Sequence, residues 1–357
     1  MRVLFITRDS DLPESHLIAG LAAAGIEVRV LGDLLPPIAR MFCERGILHE
    51  GFAIRSRLDR EAARRIRATV REWNPDIVQC FTSRALTCAI LSRLPRRVRL
   101  VGYRGAIGRL TRLDPSNLFG VLHVRVNAVL CLSDSIRAAL RKAGVPDRKL
   151  FKIYKGHDPA WYAAANARPR RAADGAFVVG FIGNMRRVKG AHVLLEALRG
   201  IDPRLPVRAA LVGAVLDPRV RALLADPNLA GRVEVRGFQP NASASIPDFD
   251  VLAVPSLEGE GLSKAAIEAM SQRVPVLASA SGGLVELIED RVSGRLVPPG
   301  DAAALRAAIL ELMRDADART KYADAAYERI STAFHIDRTV EQVAALYRSL
   351  VSESRAR

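Results

Sequence analysis

Aromatic side chains are scarce in this chain. Phe, Trp and Tyr make up 5% of 357 residues, so the cores have to be built from Val, Leu, Ile and Ala. No aromatic–basic module of the kind that reads nucleic acid is present, and a nucleic-acid partner is not expected. Cysteine is equally sparse. Cys43, Cys80, Cys88 and Cys131 show neither C-x-x-C spacing nor His partners in register, which points to reduced, mostly buried thiols in a cytosolic protein rather than to a metal site. Long apolar runs are missing too. The best candidate, 121–132, is broken by His123, Arg125 and Asn127, short of the roughly 18 uninterrupted apolar residues a membrane span needs. The N-terminus, Met1-Arg2-Val3-Leu4-Phe5-Ile6, runs straight into a buried-strand pattern rather than a signal peptide. A cytoplasmic location is therefore expected.

Acidic charge is short in one half only. Residues 1–172 hold 31 Lys+Arg against 15 Asp+Glu, so the whole formal net charge of +16 sits there and the remainder of the chain is neutral. Such a bias implies an anionic partner: a membrane surface at the inner face of the cell membrane, an anionic lipid-linked substrate, or nucleic acid. A basic surface in an Arg-rich proteome is the plainer alternative.

What is present is a repeated alternation. Short β-branched runs at 3–6, 27–31, 77–80, 100–103 and 128–132 alternate with helical patterns at 14–24, 58–72, 83–94 and 134–143. The second half repeats the plan, with strands at 177–182, 208–212, 233–236, 251–254 and 275–278 and helices near 190–199, 217–225, 263–271, 283–289 and 302–315. This pattern predicts an α/β protein of right-handed βαβ units with parallel sheets. The organisation expected is a first Rossmann-like domain over 1–162, a linker or hinge over 163–176, a second Rossmann-like domain over 177–335, and a C-terminal helix over 336–357 packing back on the first domain. Two doubly wound domains facing across a cleft would place their ligand sites there.

The most informative stretch is Pro255-Ser256-Leu257-Glu258-Gly259-Glu260-Gly261-Leu262-Ser263 and the helix after it. Glu260 and Glu268 stand eight apart around a Gly-rich turn that comes after a strand and opens a helix. The unpaired N–H groups of the first helical turn form a seat for phosphate, and two carboxylates beside it suit sugar or ribose hydroxyls. The chemistry fits a nucleotide sugar. A second loop, Gly183-Asn184-Met185-Arg186-Arg187-Val188-Lys189-Gly190, also lies beyond a strand, and its three cations can neutralise a diphosphate.

These blocks resemble the retaining glycosyltransferases of family 4, which have the GT-B fold. The family sequence G-R-L-x-x-x-K-G corresponds to 183–190 here, and E-x7-E with its E-A-M helix to Glu260, Glu268, Ala269 and Met270. The later P-V-x-A-S, G-G-x-x-E and G-x-L-V-x-P-G-D stretches correspond to 275–279, 282–286 and 294–301. The resemblance implies that Lys189 binds the donor diphosphate, that Glu268 holds the ribose hydroxyls and Glu260 the transferred sugar, and that Gly261, Leu262 and Ser263 offer backbone donors to the distal phosphate; Gly183 and Asn184 belong to the same donor-binding loop, where Arg186 or Arg187 can supply the charge of the family arginine. Arg236 and Phe238 stand where the family cradles the base. One departure falls in this half: Asn184 replaces the family arginine. The resemblance further implies a metal-independent reaction with no cofactor, the nucleotide sugar being the substrate, and the second half carries no D-x-D motif.

The first half matches the family more loosely. Its Gly-Gly loop is replaced by Asp9-Ser10-Asp11-Leu12-Pro13, its histidine by the segment Val101-Gly102-Tyr103-Arg104-Gly105, and its N-G-V-D by Lys155-Gly156-His157-Asp158. His16 and Arg104 are the candidate acceptor-binding residues, and Arg104 joins Glu260 and Lys189 as a candidate catalytic residue. The activity implied is transfer of a sugar from a nucleoside-diphosphate donor to a saccharide or lipid-linked saccharide, in envelope polysaccharide or lipopolysaccharide synthesis. The departures keep one alternative open, a GT-B pseudoenzyme acting as binding or scaffold partner of an active glycosyltransferase.

Overall fold

The computed structural model describes residues 1–8, 10–107, 118–162 and 175–355. It divides into two units, Met1–Gly156 with Ile336–Arg357, and His157–His335. The expected limit of the first domain at 162 thus falls at 156. Residues 157–162 bind into the second unit instead: the His157 N–H donates to Phe334 O at 2.9 Å, and the short 3-10 turn Pro159–Tyr162 packs on the helix Lys264–Ser271. The expected linker, 163–176, lies outside the described residues except for Gly175 and Ala176.

The first unit is built on seven parallel strands: β1 (Arg2–Ile6), β2 (Glu27–Leu31), β3 (Leu48–Glu50), β4 (Ile77–Cys80), β5 (Arg99–Arg104), β6 (Val126–Cys131) and β7 (Leu150–Lys152), in the order β3-β2-β1-β4-β5-β6-β7. The central strand β1 reads as a continuous apolar run because both its faces are covered, and Val3, Leu4, Phe5 and Ile6 are fully buried. Side-chain caps start the helices where the sequence places Asp, Thr or Ser. Asp11 accepts from Glu14 N at the head of Leu12–Ala23, Thr82 from Ala85 N, and Ser133 from Ile136 N. The C-terminal helix Ile336–Arg355 packs on Leu12–Ala23, and its buried Tyr347 hydroxyl donates to Gln79 Oε1 at 3.0 Å.

The second unit has six parallel strands: β8 (Phe177–Ile182), β9 (Val207–Val212), β10 (Val233–Gly237), β11 (Val251–Val254), β12 (Val276–Ser279) and β13 (Arg295–Val297), ordered β10-β9-β8-β11-β12-β13. Its core joins Val179, Phe181, Leu211 and Ala253 to Leu194, Leu198, Leu305 and Ile309 of the helices Ala191–Arg199 and Ala302–Arg314. Each fully buried Leu, Ile or Phe of this kind contributes about 1.5–3 kcal/mol. The strand order reverses between β8 and β11, and open α/β sheets bind ligands beyond the strand C-termini at such a switch point.

Candidate functional site

Two loops leave the sheet at this switch point, 183–190 after β8 and 255–263 after β11. The first is tied to the loop after β9, since Gly183 N donates to Val212 O (2.9 Å) and Met185 N to Ala214 O (2.8 Å). Met185 is fully buried, which leaves Asn184, Arg186 and Arg187 exposed around it. A 3-10 turn, Arg187–Lys189, then ends at Gly190 with φ 71°. A Cβ on Gly190 would lie 1.8 Å from Pro255 O, so only glycine lets the two loops meet here. Leu257 N donates to Val188 O at 2.8 Å across the same contact.

This approach brings Lys189 onto Glu260. The ammonium Nζ lies 2.6 Å from Oε1 and 2.8 Å from Oε2. Glu260 is 7% exposed, whereas the lysine side chain is 39% exposed. The Glu260 backbone is held from the other side. Gly283 N donates to Glu260 O at 3.0 Å, and Gly282, at φ 57°, stands where a Cβ would be 2.1 Å from that oxygen. Ser263 caps the helix Lys264–Ser271 by accepting from Ala266 N, and its neighbours in the first turn have N–H groups without helical acceptors. Glu268, also 7% exposed, has Lys264 Nζ at 3.6 Å. Two buried carboxylates, a lysine between loop and solvent, and a helix start thus stand on the segments that follow β8 and β11. Such an arrangement can grip an anion and read hydroxyls at the same time.

The other residues expected at the site are less directly engaged. Asn184 Oδ1 accepts from Ala214 N at 3.3 Å, so the residue standing for the family arginine braces the loop and brings no charge. Arg236 pairs with Asp248 (2.6 Å) and Glu234 (3.0 Å) and packs over the Phe249 ring. Its guanidinium is thereby engaged, whereas Phe238 is 73% exposed beyond Gly237. Arg104 and His16 belong to the first unit. Arg104, at the end of β5, donates from Nη2 to Ile107 O at 2.7 Å. Burial and the nearby Arg57 hold its pKa below the usual arginine value. His16 is half-buried on the helix Leu12–Ala23.

Sequence reasoning missed three arrangements. Buried His192, two residues beyond the 183–190 loop, has Arg219 Nη2 at 3.3 Å, and Arg219 is held in turn by Asp217 at 2.8 Å. Ser256 Oγ is buried in the second loop and lacks a hydrogen-bond partner among the described residues. In the first unit Lys155 pairs with both Asp11 and Glu14, the latter at 3.1 Å. Asp11 and Lys155 lie in two segments that depart from the family pattern, and the departures are joined by an ion pair. Burial pushes the Glu14 carboxyl up to about 7; Lys155 works against that shift and Asp11 adds to it. A compensating charge at two altered loops was the signal available, but 144 residues separate the partners.

Among the described residues no group of three or more His, Cys, Asp and Glu is placed to hold a metal ion, and no helix is long and apolar enough to cross a membrane.

Comparison with known proteins bears on the family and the fold. The family model described as Glycosyl transferases group 1 matches residues 176–315, and the model described as Glycosyltransferase Family 4 matches residues 15–161. The chain is 29% identical over 236 residues to the putative colanic acid biosynthesis glycosyltransferase WcaL of Salmonella typhimurium; the match takes in 63% of this chain and 57% of that protein, little more than half its length. It is 26% identical over 322 residues to the phosphatidyl-myo-inositol mannosyltransferase of Mycolicibacterium smegmatis, covering 87% of this chain and 82% of the other. The crystal structure of Anabaena HepE in complex with UDP-glucose superposes with a TM-score of 0.81 at 22% identity, over 98% of this chain and all of that one, a likeness of fold. With its first unit matching one model, its second unit the other, and two doubly wound parallel sheets on a GT-B scaffold, the chain belongs to glycosyltransferase family 4.

Proposed function

We propose that this chain is a retaining glycosyltransferase that moves a sugar from a nucleoside-diphosphate donor to a saccharide or lipid-linked saccharide in envelope polysaccharide or lipopolysaccharide synthesis. The observation that carries the reading is the clasp of Lys189 on Glu260 at the switch point of the second sheet. The names of the relatives support it: WcaL is described by colanic acid biosynthesis, the mycobacterial protein as a phosphatidyl-myo-inositol mannosyltransferase, and HepE was crystallised with UDP-glucose.

In this reading the arriving diphosphate draws Lys189 away from Glu260. The freed carboxylate then accepts hydrogen bonds from hydroxyls of the transferred sugar, while Glu268 accepts from the ribose. As the bond from the anomeric carbon to the phosphate oxygen breaks, charge builds on the leaving diphosphate. Lys189, Arg186, Arg187 and the N–H groups heading the helix Lys264–Ser271 stabilise it, taking the part a metal ion would otherwise play. The acceptor oxygen bonds to the anomeric carbon on the face the phosphate leaves, and its proton passes to the leaving phosphate oxygen, so configuration is retained. Glu260 contributes position rather than proton transfer. Arg104 and His16 bind the acceptor, and the basic first unit holds the protein to an anionic membrane surface at the cytoplasmic face.

The test is release of nucleoside diphosphate from a panel of nucleotide sugars with lipid-linked acceptors, with the anomeric configuration of the product read by NMR. Lys189→Ala and Glu260→Ala are expected to lower turnover by about 100-fold or more each. Wild-type turnover in both variants would remove the site, an inverted product would remove the retaining mechanism, and donor binding without turnover would favour a pseudoenzyme.

A further inference from the structure

The first unit carries a second cationic site away from the C-terminal ends of its strands. A cavity of about 360 Å³ opens where the helix Ser83–Leu91 ends and β5 and β6 begin. Its polar lining is Arg93, Arg96, His123 and Arg125, set against Ile90, Leu94 and Leu100. Among the described residues no acidic side chain lines it. Arg125 Nη2 is spent on backbone carbonyls, those of Leu94, Pro95 and Val98 at 3.0–3.4 Å. Lys149 next to it donates to Val124 O and Val126 O, and Arg99 to Leu350 O. Among the described residues none of these groups pairs with a carboxylate.

The result is positive charge collected around a hollow that no carboxylate of the described residues lines. Burial, together with Arg99 and Arg96, holds the Arg125 guanidinium below its ordinary pKa. Burial, Arg125 and Lys149 do the same to the His123 imidazole. An anion seated in the cavity would relieve both. Two exposed guanidiniums over an apolar floor match the oxygens of a phosphate group better than those of a monovalent ion, because each can present two N–H donors. Alongside, Val124 is 83% exposed, and Leu118 and Phe119 are about half exposed on the same segment. An apolar projection beside a basic cluster is how proteins sit on anionic bilayers.

We propose that this cavity binds a phosphate-class anion, with an anionic phospholipid head group or a soluble phosphate as its source. The site shares no residue with the proposed donor and acceptor sites: it lies where β5 and β6 begin, whereas Arg104 ends β5, His16 stands on the helix Leu12–Ala23, and the donor residues are in the second unit.

The experiment uses the full chain with three probes: phosphatidylglycerol vesicles, phosphatidylcholine vesicles, and inorganic phosphate or pyrophosphate with binding read by calorimetry. The variants are Arg93→Ala with Arg96→Ala, the control pair Arg64→Ala with Arg71→Ala on the helix Arg60–Trp73, and Val124→Ser. Losing two surface charges at the site is expected to weaken binding about 25-fold, at about fivefold per charge, and the control pair much less. A lipid source is shown by binding to phosphatidylglycerol alone that also weakens in Val124→Ser. A soluble source is shown by phosphate or pyrophosphate binding that Val124→Ser leaves unchanged. The proposal is overturned if no anionic probe binds, or if the control pair weakens binding as much as the site pair. Donor binding measured on the same samples separates this outcome from failure of the catalytic reading.

Discussion

Replacing Lys189 by Met keeps the aliphatic stem and removes the charge that faces Glu260. The size of the effect depends on burial. Breaking a fully buried ion pair by removing one partner costs about 3–5 kcal/mol, and an exposed pair is worth about 0–1 kcal/mol. Here the glutamate side chain is 9% exposed and the lysine 39%, so solvent can repair only part of the loss, and Lys189→Met is expected to destabilise the second unit by about 1.5–2.5 kcal/mol. Glu260→Gln leaves the lysine free to turn into water and is expected to cost about 1 kcal/mol or less. The double variant should therefore be less destabilised than the two single effects combined, with a coupling of about 1 kcal/mol. The chain has two tryptophans, Trp73 in the first unit and Trp161 in the second. Trp161 lies against His157 on the turn that packs on the helix Lys264–Ser271. Urea unfolding monitored by its fluorescence in a Trp73→Phe background reads the second unit alone. Additive single effects, with no coupling beyond about 0.3 kcal/mol, would refute the clasp.

Three further outcomes are expected. Gly190→Ala places a Cβ against Pro255 O at a left-handed φ and should lower second-unit stability by about 2–4 kcal/mol while abolishing nucleotide binding; a wild-type melting curve would contradict the loop contact. In the first unit, the Glu14 carboxyl raised to about 7 means that the folded state holds a proton the unfolded chain has lost between about pH 4.5 and 7. Stability should fall as pH rises through that window, and Glu14→Gln should remove the slope in unfolding monitored by Trp73. Arg186→Ala with Arg187→Ala should raise the donor Kd about tenfold or more, more steeply at low salt. An unchanged Kd would leave Lys189 as the sole side-chain cation on the diphosphate.

Much of the fold can be read in the sequence, because buried parallel strands such as β1 and β11 carry uninterrupted apolar runs between turn residues. The strands that escape are β3, β7 and β13, three residues each at sheet edges, too short to show a period. The helix Pro36–Glu44 also escapes, since it begins after Leu35 without a side-chain cap. At the site, the spacing of Glu260 and Glu268 and the cations of 183–190 were legible as motifs, because a ligand seat after a strand leaves its glycines and charges close together in the chain. The clasp itself was not, because Lys189 and Glu260 are 71 residues apart. Nor was the use of Asn184, whose side chain answers a backbone N–H on another loop. His157 fell within the first domain expected over 1–162, yet its backbone bond to Phe334 ties it into the second unit.

The most direct test of a donor site in the second unit is calorimetric titration of the full chain with UDP-, GDP-, ADP-, CMP- and dTDP-sugars, with Glu268→Ala in parallel. One nucleotide class is predicted to bind at a single site and to weaken at least about tenfold in the variant, as expected when a hydrogen bond from a ribose hydroxyl to a buried carboxylate is lost. Equal binding in both proteins, or no binding of any donor, would contradict a nucleotide-sugar site at the switch point of the second sheet.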